Sequence, residues 1–156
     1  GVRVLRKVEN IVREEMVAAG AVELLQTVHQ VGGLNLIVTH RDRDSAEFLL
    51  HKLDLADDID DMVCAPDGYA RKPDPQMYHL MIERHGIVAS ECLGVGDRRL
   101  DCEAALASGM SAALLVPEVP DDAPGIWDIT TAAANPQKAT TTIHVTELGD
   151  LVPLFG

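Results

Sequence analysis

The chain has 156 residues, which suits one domain of ordinary size with a real hydrophobic core. Its formal charge of -12, from 25 acidic against 13 basic side chains, argues against nucleic-acid or anionic-membrane partners, because both need a positive surface. With 47% hydrophobic residues the composition is globular. No apolar run approaches a membrane span and GVRVLRKVEN lacks the apolar block of a secretory leader, so a cytoplasmic location is expected.

Apolar side chains recur at helical spacing from Val8 to Ala18 and again from Val22 to Val31, where Gly32-Gly33 stops the run. Leu34 to Thr39 reads as a short buried strand, and Ser45 to Leu53 as a helix capped by Asp42-Arg43-Asp44. A strand over Asp61 to Ala65, a helix over Pro75 to His85 and a strand over Glu91 to Gly96 follow. Leu100 to Ser108 is helical and closed by Gly109, and Ser111 to Val116 is a further strand. From Glu118 to Thr142 the rhythm breaks into Pro, Ala, Thr and Asp around Trp127, a long surface excursion rather than a second domain. Thr142 to Val145 forms a last strand and Glu147 to Leu154 a short terminal helix. Strands alternating with helices of about ten residues predict an α/β fold, a parallel sheet with helices on its faces and right-handed crossovers.

In such sheets ligands bind beyond the carboxyl ends of the strands. Three of these ends are polar: Thr39-His40-Arg41, then Arg71-Lys72-Pro73-Asp74-Pro75, then Asp97 and Asp101 in CLGVGDRRLD. A hydroxyl, an ammonium and two carboxylates four positions apart can hold a phosphoryl group, offset its charge and place it beside a hard cation such as Mg2+. Each residue also has a plainer reading. Thr39 could only finish a strand, Lys72 be solvated, His40 and Arg41 lie on the surface, and Asp97 cap a helix. Cys64, Cys92 and Cys102 are odd in number, without CxxC spacing or paired His, and are expected as buried reduced thiols rather than zinc ligands or disulfides.

Thr39, Lys72 within RKPDP and GDRRLD from Gly96 to Asp101 resemble the second, third and fourth motifs of the haloacid dehalogenase (HAD) superfamily of phosphohydrolases. VGGLNLIVTHRDRD, PDGYARKPDP and GVGDRRLDCEAALASGM look like its phosphoglycolate-phosphatase-like branch, over about Ala21 to Val116. The resemblance implies a HAD-like, Rossmannoid parallel sheet and a Mg2+-dependent hydrolase acting on a small phosphorylated substrate through an aspartyl-phosphate. By that likeness Thr39 and His40 contact the phosphoryl group, Lys72 offsets charge on nucleophile and phosphate, and Asp97 with Asp101 holds the cation. Arg41, Arg71 and Arg98 are secondary candidates.

The family's first motif, a strand ending in DxDG whose first Asp is the nucleophile, is not found. Asp42-Arg43-Asp44 has the DxD spacing but follows Thr39-His40-Arg41 and leads into Ser45. In VRVLRKVE, Arg6 and Val8 stand where two aspartates are required. Residues 1–18 are therefore expected to be a remnant of a helical cap or a linker, and 19–156 the core without its first strand. The resemblance puts that strand at the centre of the sheet, so a missing N-terminal segment or a second chain is expected to complete it. A fragment of a phosphohydrolase is the first reading; a non-catalytic HAD-like binding or interaction protein is the alternative.

Overall fold

The computed structural model describes residues 2–4, 19–123 and 142–155, Val2–Val4 by their backbone alone. Six parallel strands form one sheet in the order β3-β2-β1-β4-β5-β6. They are β1 (Val2–Val4), β2 (Asn35–Thr39), β3 (Asp61–Cys64), β4 (Leu93–Gly96), β5 (Ser111–Leu115) and β6 (Thr142–Val145). Among the described residues four α-helices accompany them: α1 (Ala21–Gln30), α2 (Arg43–Lys52), α3 (Gln76–His85) and α4 (Arg99–Ala107). The expected α/β fold is thus present, and from α1 through β6 the element ends lie within two residues of those read from the sequence.

Alternation along the strands sorts the core into two layers, because successive side chains leave a strand on opposite faces. Ile37, Leu93, Val95, Ala113 and Ile143 face Leu24, Leu25 and Val28 of α1 and Ala46 and Leu50 of α2. Leu36, Val38, Val63 and Ala112 face Met77, Tyr78 and Met81 of α3 and Ala104 and Ala105 of α4. On that second face β4 presents Gly94 and Gly96, and the bare Cα atoms let α4 approach closely. A Cβ on Gly94 would run into the Ala105 methyl. The same close approach brings Asp101 against Gly96.

The expectation for residues 1–18 fails at its start. Val2–Val4 are not helical cap but the central strand, with Val2 opposite both Asn35 and Leu93, and Arg3 opposite both Leu36 and Gly94. The slot expected to need an upstream segment or a second chain is filled by the chain's own first residues. Three residues are too few to show an alternating pattern, and a central strand is held by ladders on both sides more than by its own propensity. Residues 5–18, including the predicted helix over Val8 to Ala18, lie outside the described residues, as do 124–141 of the excursion.

Two further differences are local. The terminal helix is a 3-10 helix over Leu148–Leu154, a short tight form with Pro153 inside it. Helix α2 begins earlier than its apolar pattern, at Arg43, because Asp42 caps it and accepts the Ser45 amide at 2.8 Å.

Candidate functional site

Thr39 is the last residue of β2 and is fully buried; its Oγ1 accepts the Arg41 amide at 3.0 Å and so closes the turn that leaves the strand. His40 follows. From the loop between β3 and α3, Lys72 reaches back to this strand end, and its Nζ donates to the Val38 carbonyl at 3.0 Å. The Lys72 side chain is 0% exposed and the Asp101 side chain 1%. An ammonium so far from water needs a counter-charge, and Asp101 Oδ1 lies 2.6 Å from Nζ. The contact is a close ion pair rather than an aligned hydrogen bond.

Asp101 stands in the first turn of α4, where its other oxygen, Oδ2, accepts the Arg98 amide at 3.2 Å while its own amide donates to the Arg98 carbonyl. Gly96 makes this placement possible: a Cβ there would meet Asp101 Oδ2 at 2.6 Å and collide with its Cβ. Asp97 lies half-buried just past the end of β4. The two aspartates therefore differ in environment, Asp101 turned inward onto Lys72 and Asp97 standing at the strand end. Among the described residues, no group of three or more His, Cys, Asp or Glu is gathered as a cation-binding cluster.

The imidazole of His40 ties the parts together. Its Nε2 accepts the Lys72 amide at 2.8 Å, and its Nδ1 lies 3.2 Å from Arg98 Nη2. Of the secondary candidates, Arg98 brings its guanidinium to His40, whereas Arg41 meets Thr39 through its backbone amide. Arg41 turns toward α2 and donates to Ser45 Oγ at 2.7 Å, and Arg71 is exposed. The links from His40 to Lys72 and to Arg98 span 32 and 58 positions, so no local pattern announces them. Nor does spacing reveal that Asp101 pairs with Lys72.

All three cysteines are free and buried, as expected. Burial, with the charge of Asp101 adding to it, pushes the Cys102 thiol up to about 12, and burial also raises that of Cys64. A thiol so far from ionisation is a poor nucleophile, which leaves the chemistry of this region to its carboxylates, hydroxyl and cations. No helix among the described residues is long and apolar enough to cross a membrane.

Residues 2–115 match the model of a family described as haloacid dehalogenase-like hydrolase. The phosphoglycolate phosphatase of Photobacterium profundum is 32% identical over 90 residues, which cover 58% of this chain and 39% of that protein. The chain therefore spans well under two thirds of that relative. A shorter likeness, 71% identical over 34 residues, is to the proline-tRNA ligase of Ralstonia pickettii; it covers 22% of this chain and only 6% of the ligase, too little to carry that activity over. Among solved structures, a hydrolase from Streptococcus pneumoniae superposes with a TM-score of 0.57 at 31% identity, covering 62% of this chain and 50% of that one. With its parallel sheet and a family match over most of its length, the chain belongs to the haloacid dehalogenase-like hydrolases.

Proposed function

We propose that this chain forms the phosphate-handling core of a Mg2+-dependent hydrolase of small phosphomonoesters. The observation that carries this reading is the buried Lys72–Asp101 pair beside Thr39, a fixed positive charge held out of water at the end of β2. Placed there in advance, the ammonium stabilises charge that develops on a transferring phosphoryl group without reorganising to do so. Thr39 and His40 contact the phosphoryl oxygens, and Asp101 positions Lys72. Asp97 suits the cation, because Mg2+ keeps several waters and asks for only one or two protein carboxylates. When bound, Mg2+ neutralises phosphoryl charge and orients the ester. The phosphoglycolate phosphatases among the relatives make phosphoglycolate the first ester to try. Three buried free thiols suit a reducing compartment such as the cytoplasm.

Covalent transfer through an aspartyl-phosphate needs a carboxylate nucleophile. In the family's pattern it follows the central strand, but β1 is followed by Leu5-Arg6-Lys7-Val8. That observation favours a second reading, a HAD-like protein that binds phosphate esters without cleaving them. Phosphate release from phosphoglycolate and a small ester panel, with and without Mg2+, separates the two. Mg2+-dependent release that is abolished in Lys72→Met supports the hydrolase. Calorimetric binding of the esters with no release, lost in the same variant, supports the binding protein. Neither release nor binding would remove both.

A further inference from the structure

We propose that the Arg98 guanidinium and the His40 imidazole together form a receptor for an oxyanion of the ligand, beside Thr39 and Lys72. It rests on the phosphomonoester reading for the identity of the ligand, but not for the binding itself.

A backbone amide can only donate, so the 2.8 Å contact from the Lys72 N–H requires a lone pair on His40 Nε2. The neutral ring then carries its proton on Nδ1. Arg98 Nη2, 3.2 Å from Nδ1, can also only donate. Two N–H donors thus meet where a hydrogen bond would need one donor and one acceptor. An oxygen that accepts from both turns this contact from unfavourable to favourable, and an anionic oxygen does so best.

The charge of Arg98 points the same way. In a chain with 25 acidic residues against 13 basic ones, Arg43 pairs with Asp67 at 3.0 Å and Arg84 with Asp61 at 2.8 Å. Lys72 has Asp101. Among the described residues the Arg98 guanidinium has its one close polar contact with the His40 ring, where donor faces donor, and its Nε is buried with no hydrogen-bond partner. A guanidinium held away from the many available carboxylates, with a buried donor unmet, is arranged for a group that arrives from outside. Arg98 immediately precedes α4, whose first free amides add potential of the same sign. The ligand class is an oxyanion able to take two N–H donors, either the phosphoryl group itself or a carboxylate on the part of the ester that leaves.

The test is a titration of the chain with inorganic phosphate and, separately, with acetate, following the Arg98 Nε–H and His40 Nδ1–H resonances by NMR. Both should shift saturably with phosphate, acetate or both. Arg98→Gln should weaken binding of whichever anion saturates on the order of tenfold, the usual worth of a charge-assisted hydrogen bond, and Arg43→Gln should not. Saturation by acetate assigns the receptor to a carboxylate; saturation by phosphate alone assigns it to the phosphoryl group. The proposal is overturned if the Arg98 Nε–H moves with neither anion or if His40 carries its proton on Nε2. It is equally overturned if an Arg98→Gln variant with an otherwise native amide spectrum binds the anions as tightly as the wild type. None of these readouts depends on turnover, so they stand or fall apart from hydrolysis.

Discussion

Replacing Asp101 with Asn keeps the size of the side chain but leaves the Lys72 ammonium, whose side chain is 0% exposed, without the carboxylate 2.6 Å from it. The Val38 carbonyl at 3.0 Å remains but carries no net charge. Removing one member of a buried pair costs about 3–5 kcal/mol, because the other charge stays out of water. Lys72→Met should cost a similar amount, since Asp101 would keep its bond to the Arg98 amide while staying 1% exposed. In the double variant neither charge is buried. Its cost should therefore fall no higher than that of the worse single variant, giving a coupling of at least the smaller single cost, about 3 kcal/mol. Against a domain stability of about 5–15 kcal/mol each single loss is large but measurable. Urea unfolding followed by circular dichroism, compared at constant m, gives the four free energies of the cycle. A single-variant cost below about 1 kcal/mol, or a double variant equal to the sum of the singles, would refute the buried-pair account.

Three further outcomes are expected. Gly96→Ala should lower stability by about 1–3 kcal/mol, because the new methyl needs space held by Asp101 and the carboxylate cannot retreat without straining its bond to Lys72; an unchanged Tm would contradict this. Burial alone would raise the Asp61 carboxyl, but hydrogen bonds from Arg84 and His85 bring it below 3.8, so the folded form has the depressed value. Its stabilisation is then fully present above the unfolded value and disappears as pH falls below it. Asp61→Asn should cost up to about 1 kcal/mol at neutral pH, discounted because the partners are partly exposed, and the gap to wild type should close below pH 3.8 in urea titrations at several pH values. Finally, Cys64, Cys92 and Cys102 should react with a thiol reagent at mildly alkaline pH only after denaturation; rapid labelling of the native chain would contradict their burial.

Local physics made much of this protein readable without coordinates. Asp42 before the helical run of α2 is a cap in sequence and in structure, because capping involves only residues within one turn. The runs NLIVT and LGVG, and the polar residues that follow them, place the strand ends and hence Thr39 and Asp97, since strand burial and crossover topology follow from the order of the elements. What the sequence could not convey is pairing across distance. Val2–Val4 are a strand because Asn35–Ile37 on one side and Leu93–Gly94 on the other offer them ladders, not because three residues carry a signal. Spacing placed Asp97 and Asp101 four positions apart with equal claims on a cation. Only the close approach of α4 over Gly96, and the need of a buried ammonium for a counter-charge, turn Asp101 inward to Lys72 while Asp97 stays at the strand end. The joining of His40, Lys72 and Arg98 is likewise decided by packing, because their contacts form between chain segments that become neighbours only once the sheet has assembled.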